Sequence, residues 1–408
     1  MSAQRPSLFA LFCRHRWLAT LRSRIERHPR GFYLLCLAVL CERWAAAILS
    51  SSLVFMLCQN YGHSRGEALR LCGLYNAASY FLTLPGGFAI DRILGARRSL
   101  SAGMVLLTCG YAALTIPSAL WLSAPLLLLG HALFKPSSQV VMALLYERHD
   151  RRLDGAQIAV YLVINVAVTA GSVCAGLLSG SLDFRASFTL ATAVLLIGTL
   201  AVFLGKSVLR LRPKQLSPRV SAPTPPLALS SRQRVQRIAA LTLAMLLFAV
   251  GFGQVEGSLL LWARDRTDRL LLGFEIPAAW FVGLPALLVL LLAPAQLALL
   301  PRLQQTTTTP RLVAWGLVAV ALAFAVLLPP ALLLPAQRVS MLWLLAAMTL
   351  LVTGELLISP LGLSLLLRLA PPRFVGVVLG VWYVAGALGC WLAGELGALF
   401  VDQMKPKE

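Results

Sequence analysis

The sequence has few charged residues for its length and few acidic ones among them. Only 13% of the 408 residues are charged, 16 residues are Asp or Glu, and 58% are hydrophobic. The chain also lacks a glycine-rich phosphate loop, an H-E-x-x-H motif and a G-x-S-x-G motif. These absences argue against an ordinary soluble domain, an ATP-driven pump and the common hydrolases. We therefore expect neither an enzyme nor a bound cofactor.

Cysteine is present but is not arranged as a metal site or a disulfide framework. None of the eight cysteines forms a C-x-x-C pair, and most lie within apolar stretches. We interpret them as small apolar side chains. They are residues 13, 36, 41, 58, 72, 109, 174 and 390.

What the chain has instead is a series of long apolar stretches. Each is about 20 residues long, enough for a helix to cross the hydrocarbon core of a bilayer, and a helix satisfies its own backbone hydrogen bonds in lipid. The sequence therefore predicts an all-α membrane protein with eleven spans. They lie near residues 31–58, 70–90, 99–116, 119–146, 157–181, 184–205, 237–262, 277–300, 312–334, 339–367 and 373–400.

The positive charge is distributed unevenly between the two sides of these spans. Of the 36 Lys and Arg, 25 fall on the same side as the amino terminus and eight on the opposite side. By the positive-inside rule the amino terminus is expected in the cytoplasm. The net charge of +20 then reflects topology and contact with the lipid bilayer, whose headgroups are anionic. A nucleic-acid partner is not expected.

A polar segment at residues 206–236, rich in Pro, Ser and Arg, predicts a flexible cytoplasmic linker. It separates six predicted spans from five. The predicted organisation is a basic amino-terminal segment, a six-helix bundle, this linker, a second helix bundle and a tail. Their bounds are 1–30, 31–205, 206–236, 237–401 and 402–408.

Lys135 lies deep within the fourth apolar stretch, flanked by apolar residues on both sides. A charge at bilayer depth costs about 3 kcal/mol on insertion scales, so such a lysine usually faces a cavity and meets a carboxylate. A lysine that extends its ammonium toward a helix end is the alternative. Few carboxylates lie within apolar stretches, namely Glu42, Glu256, Glu355 and Glu395.

A short loop after the second span carries the segment GGFAIDRILGARRSL, residues 86–100. It resembles the loop signature G-x-x-x-D-R-x-x-G-x-R-R of the major facilitator superfamily, in which two helix bundles rock around a central site. The matching residues include Gly87, which we expect to let the helix pack closely, and Asp91, which we expect to cap or pair at the helix end. The rest of the predicted gating motif is Arg92, Gly95 and Arg97.

Further segments resemble the proton-dependent oligopeptide transporter (POT or PTR) family of this superfamily. LCERWAAAI is similar to E-x-x-E-R-F-x-Y-Y, GHALFKPSSQ to G-x-G-x-x-K-P-N, and YLVINVAVTAGS to F-Y-x-x-I-N-x-G. GELLISPLGLSLLLRLAP is similar to G-E-x-x-x-S-P-x-G-L-S, and three other matches lie in spans seven, eight and eleven. All occur in family order between residues 31 and 394, so the chain is identified as a divergent member.

The resemblance implies roles for individual residues. Substrate-binding positions of the family match Lys135, Asn165, Glu355, Ser359 and Trp382. The proton-coupling motif matches Glu42 and Arg43, next to Lys135. Charge alone supports this implied coupling, because ionised Glu42 pairs with Arg43 or attracts Lys135 whereas protonated Glu42 does neither.

Several positions depart from the family pattern. The first glutamate of the helix 1 motif is Val39, its tyrosines are Ala46 and Ala47, and the arginine that follows is Ser50. The acid expected before Gln254 is Gly253, the asparagine of span eight is Leu284, and the glycine that closes the span-five signature is Ala167. These changes enlarge the expected pocket and make it less polar. The count of eleven spans is also one fewer than the family plan.

Two classes of function follow. The first is a secondary transporter that carries small peptides or amino-acid-like solutes with protons, in a bacterial inner membrane. A related possibility keeps transport but changes the substrate to a non-peptide amine or drug-like compound. The second class is a non-transporting relative that acts as a membrane scaffold or receptor.

The sequence leaves the oligomeric state open. Structural alternatives are a buried protonated carboxyl for Glu355, an inter-helix hydrogen bond for Asn165 and packing for Trp382.

Overall fold

The computed structural model describes most of the chain. The predicted basic segment up to residue 27, most of the predicted linker and residues 404–408 of the predicted tail lie outside the described residues. Those described are 28–146, 152–178, 184–209, 230–333, 337–371 and 375–403.

Within these ranges eleven long helical segments follow one another, one for each predicted span. Pieces separated by no more than a short turn are counted here as one segment. They are α1 (Arg30–Gln59), α2 (Arg65–Phe81 and Thr83–Ala89, then a π-helical turn at Ile90–Leu94), α3 (Ala96–Thr115), α4 (Leu120–Leu145), α5 (Arg152–Leu178), α6 (Phe184–Leu204), α7 (Ser231–Gly253 and Ser258–Asp265), α8 (Trp280–Thr306), α9 (Thr309–Ala325 and Leu328–Leu333), α10 (Met341–Leu369) and α11 (Val375–Gln403).

Eight of these segments are long and apolar enough to cross a membrane, namely α1 and α5 to α11. The remaining three, α2, α3 and α4, pack against the others. The chain is therefore an all-α integral membrane protein, as its apolar pattern predicts.

Helix α7 begins earlier than the sequence indicated. Its first turns, from Ser231, lie within the stretch that composition predicted as linker. The reason is a capping box, in which the Ser230 hydroxyl accepts from the Gln233 backbone amide and the Gln233 side chain accepts from the Ser230 amide. This cap lets the helix extend beyond its apolar part.

The two groups of helices meet mainly at one end of the molecule. We call α1–α6 the N-terminal half and α7–α11 the C-terminal half. Contacts between the halves concentrate on α2 with α11 and on α5 with α8. These lie where α2 and α8 begin and α5 and α11 end, which we call the closed end. There Gly73 and Gly394 bring α2 and α11 so close that a Cβ on Gly73 would lie 2.7 Å from the Gly394 Cα.

Ion pairs also join the halves at the closed end. Arg65 lies 2.9 Å from Asp265, and Arg70 lies 3.3 Å from Glu395. Glu395, one of the four carboxylates noted in the apolar stretches, thus pairs at the closed end. Both contacts connect α2 to the C-terminal half.

Short strands at the closed end are the part of the fold that the apolar pattern did not predict. After α7 come β1 (Thr267–Asp268), β2 (Leu270–Leu271) and β3 (Phe274–Glu275), and β4 (Val339–Ser340) precedes α10. Strands β2 and β3 form an antiparallel hairpin, and β1 pairs in parallel with β4. The second pairing ties the α7–α8 connection to the α9–α10 connection.

The predicted gating motif lies at the opposite end, where α2 turns into α3. Gly95 has φ 76°, a left-handed conformation that favours glycine. Asp91, Arg92 and Arg97 are exposed. Contrary to expectation, Asp91 makes no ion pair with the residues that the structure describes.

The expectation that Gly87 allows close packing is wrong, and its neighbour has that role. A Cβ on Gly87 would meet nothing within 4 Å, whereas a Cβ on Gly86 would lie 1.9 Å from the Ala132 carbonyl oxygen of α4. The motif predicted the contact with α4 at Gly87, whereas it occurs at Gly86. The rotation of α2 about its axis decides which of the two adjacent glycines faces α4.

This contact yields a matched pair of variants. Gly86→Ala should destabilise the protein by about 1–3 kcal/mol, because backbone cannot move away as a side chain can. Gly87→Ala should leave stability unchanged or raise it slightly. Thermal melting of the purified protein in detergent measures both. Equal melting temperatures for the two variants would contradict the packing described here.

Candidate functional site

A cavity of about 370 Å³ lies between the two halves. Helices α1, α2, α4 and α5 line it on one side, and α7, α8, α10 and α11 on the other. Four of the predicted site residues line it, namely Arg43, Lys135, Asn165 and Glu355. The cation of the fourth span and the anion of the tenth thus face one hollow, as the sequence predicted.

Glu42 lies behind the cavity wall rather than in it. Its side chain is 1% exposed, and both carboxylate oxygens accept hydrogen bonds from the adjacent Arg43 guanidinium. His131 of α4 approaches from the other side, with Nδ1 3.1 Å from Glu42 Oε1 but off the line of a good hydrogen bond. Of the two partners left open for Glu42, the structure therefore selects Arg43 and not Lys135.

The Lys135 ammonium is held without a carboxylate. Nζ donates a hydrogen bond to the Ser79 hydroxyl at 3.2 Å and lies 4.8 Å from the centre of the Tyr80 ring. No carboxylate of the described residues forms an ion pair with it. A hydroxyl and an aromatic face stabilise a cation only in part, so the ammonium is available to an anionic ligand.

Glu355 reaches the same cavity from the middle of α10. Its carboxyl has no hydrogen bond or ion pair with the residues that the structure describes. Asn165 of α5 also lines the cavity, where its amide donates to the Tyr161 carbonyl oxygen of its own helix at 2.8 Å. That bond leaves the Asn165 side-chain oxygen to accept another.

Two predicted substrate-binding residues do not line the cavity. Trp382 is 4% exposed and belongs to a hydrophobic cluster of the C-terminal half, where its ring lies against Gly362. Ser359 also lies outside the lining residues. The packing alternative for the tryptophan is therefore the one that the structure supports. The motif match gives the residue type, whereas the rotation of each helix decides which side faces the cavity.

The sequence analysis missed the contribution of α2. Its face toward the cavity carries Tyr75, Asn76, Ser79 and Tyr80. A detectable signal existed, because these polar residues recur at spacings of three and four within an otherwise apolar span.

Glu256 of α7 faces the cavity and pairs with α2. It ends a 3₁₀ turn at Gln254–Glu256, and its Oε2 accepts a hydrogen bond from Asn76 Nδ2 at 2.9 Å. Gln254 points the other way and donates to the Ala393 carbonyl oxygen of α11 at 2.9 Å. Anchoring Gln254 on α11 turns Glu256 toward α2.

Four of the seven departures from the family pattern line the cavity. Ala46, Ala47, Ser50 and Gly253 all line the cavity, whereas Val39 is 5% exposed and packs in the core. On α1 the small side chains leave room in the cavity, whereas at Gly253 the Ala393 Cβ of α11 lies 2.7 Å from where a Cβ would be.

Comparisons with known proteins agree on one family. The model of the major facilitator superfamily matches residues 35–394. "Dipeptide and tripeptide permease A" of Chromobacterium violaceum is 27% identical over 91% of this chain and 86% of that protein. "Peptide transporter YePEPT" of Yersinia enterocolitica is 28% identical over 82% and 80% of the two chains.

Solved structures give the same result. The peptide transporter POT in complex with sulfate superposes with a TM-score of 0.82 at 25% identity, covering 91% of this chain and 89% of that one. A POT family transporter in complex with 5-aminolevulinic acid has a TM-score of 0.82 at 21% identity, over 93% and 92%. The second likeness supports the fold alone.

Proposed function

Because this chain belongs to the major facilitator superfamily and within it to the proton-dependent oligopeptide transporter family, we propose that it is a secondary active transporter. Its substrates are small peptides or amino-acid-like solutes, carried together with protons by alternating access. The matched family and its relatives are transporters rather than enzymes. The observation that carries the proposal is the cavity shared by Lys135 of one half and Glu355 of the other.

A zwitterionic solute is complementary to this cavity. Its carboxylate binds the Lys135 ammonium, which has no carboxylate partner among the described residues, and its amine binds Glu355. Asn165 supplies a hydrogen bond between them. Each charge comes from a different half, so the bound solute links the two halves, and this favours the arrangement in which both charged groups reach it.

Proton coupling is assigned to the Glu42–Arg43 pair next to Lys135. While Glu42 is ionised, it holds the Arg43 guanidinium at the cavity wall. A proton on Glu42 removes that attraction and releases Arg43 to bind the solute carboxylate together with Lys135. The group released is thus Arg43, since Lys135 is held by Ser79 and Tyr80.

Alternating access requires that the closed end open while the other end closes. The Arg65–Asp265 and Arg70–Glu395 pairs join the halves on one side of the cavity. The motif of Gly87, Asp91, Arg92, Gly95 and Arg97 lies at the other end, where we assign it to the closure of that side. Ser359 and Trp382 do not line the cavity, and we assign them no contact with the solute.

The orientation follows from charge. With the amino terminus in the cytoplasm of a bacterium and the protein in the inner membrane, the closed end faces outward. A membrane potential negative inside drives a net positive load inward by about 2.3 kcal/mol per charge per 100 mV. A neutral zwitterionic solute that is carried together with a proton has a net positive charge of this kind.

Uptake into proteoliposomes tests this function. A panel of labelled dipeptides, amino acids and amines is offered with and without an imposed inward proton gradient. We expect at least one peptide or amino acid to accumulate with the gradient and a protonophore to abolish the accumulation. If only amines were taken up, the substrates would be non-peptide amines rather than peptides or amino acids. Stable protein that transports nothing but retains a protein partner would favour the scaffold alternative.

A further inference from the structure

While Glu42 is ionised, the cavity has one carboxylate more than its free cations balance. The charged side chains that line it are Arg43, Lys135, Glu256 and Glu355. Arg43 is neutralised by Glu42 behind the wall. Lys135 thus faces two carboxylates, both from the C-terminal half. A neutral zwitterion uses Lys135 and Glu355 and leaves Glu256 without a cation.

Glu256 keeps one of its two carboxylate oxygens available to a ligand. Its Oε2 is fixed by Asn76 at 2.9 Å, while Oε1 has no hydrogen bond with the residues that the structure describes. No cation of the described chain pairs with it. A carboxylate that is oriented by one hydrogen bond and open on its second oxygen is suited to receive a cation.

Small residues line the cavity on α1 and at Gly253 of α7. Gly253, one helical turn earlier on α7, has no side chain and also lines the cavity. Ala46, Ala47 and Ser50 form the wall on α1. The family motif has its acid at the position of Gly253, but here a Cβ at that position would lie 2.7 Å from the Ala393 Cβ of α11. The carboxylate of this chain therefore lies one turn later, at Glu256.

We propose that Glu256, oriented by Asn76, is a second anionic binding point, and that it gives the transporter a preference for solutes with an additional positive charge. This inference rests on the proposed function. The substrate class is a small peptide with a basic side chain, or a diamino acid. Its carboxylate binds Lys135, its α-amine binds Glu355 and its second cation binds Glu256.

A comparison of the uptake rates of three dipeptides tests the preference. Ala-Lys, Ala-Ala and Ala-Glu are offered to proteoliposomes that contain the wild-type protein, with initial uptake rates measured under the same proton gradient. We expect Ala-Lys to be preferred over Ala-Ala by about tenfold, the size of one partly desolvated ion pair. Ala-Glu should be the poorest substrate.

Variants of Glu256 test whether this residue causes the preference for Ala-Lys. Glu256→Gln should reduce the ratio of Ala-Lys to Ala-Ala uptake to about one, and Glu256→Asp should retain most of it. The matched control is Glu275→Gln, which removes an acid from the exposed β-hairpin and should leave the ratio unchanged.

The outcomes separate this inference from the proposed function. If wild-type protein takes up none of the dipeptides, the proposed function fails for peptides and the inference with it. If it takes them up without preference, or if Glu256→Gln lowers all three rates equally, the inference alone is overturned. Equal loss would mark Glu256 as a site for protons rather than for a substrate cation.

Discussion

Replacing Lys135 by alanine should lower the initial rate of solute uptake by about 100-fold. Removal of one partner from a largely desolvated charge pair costs about 2–5 kcal/mol, and 1.4 kcal/mol corresponds to a factor of ten. The loss should fall on binding, because the Lys135 ammonium faces the cavity and is otherwise held only by Ser79 and Tyr80. Radiolabelled uptake into proteoliposomes measures the rate.

The control for this variant is Lys206→Ala. Lys206 lies at the end of α6 against the Phe203 ring, away from the cavity. Its loss should leave uptake unchanged. Lys135→Arg is a second test, because arginine keeps the charge but has a planar, larger head, so partial activity is expected. Normal uptake by Lys135→Ala would remove the basis of the proposed function.

Replacing Glu42 by glutamine should uncouple transport from the proton gradient. An amide at this position cannot change its charge, so Arg43 stays released at every pH. We expect gradient-driven accumulation to fall at least tenfold, roughly the size of one lost charge interaction. Exchange of solute across the membrane in the absence of a gradient should continue, because it needs binding and rocking but no net proton movement.

Folding must be separated from coupling in this experiment. Glu42→Gln leaves the Arg43 guanidinium without its buried ion-pair partner. Removing one partner of a buried ion pair destabilises a protein strongly. The double variant Glu42→Gln/Arg43→Gln removes both charges and should restore the melting temperature while accumulation stays low. Accumulation at the wild-type level in either variant would show that protons act elsewhere.

The helices and their order could be predicted from the sequence because lipid permits few alternatives. A span of about 20 apolar residues has to be helical in a bilayer, and all eleven predicted spans contain a helix. Boundaries were less certain where a polar cap extends a helix, as Ser230 does for α7. The short strands at the closed end were missed, since two-residue pairings leave no periodic pattern in the sequence.

The site was predictable in part. Lys135 and Glu355 stood out because a charge within an apolar span is costly unless it faces a polar space. Trp382 was assigned to the site by its motif, but it packs in the core. Asn76 and Ser79 were overlooked because an uncharged polar residue in a helix carries no comparable penalty and thus a weaker signal.

The sequence by itself determined that this protein lies in a membrane, the order of its long helices and the few charged side chains that lie within apolar stretches. These follow from local transfer free energies, which each segment carries alone. Only the tertiary structure decided that Glu42 pairs with Arg43 and not with Lys135, that Gly86 and not Gly87 touches α4, and that Glu256 faces Asn76. Such choices depend on the rotation of each helix about its axis, which is set by the packing of all neighbours together.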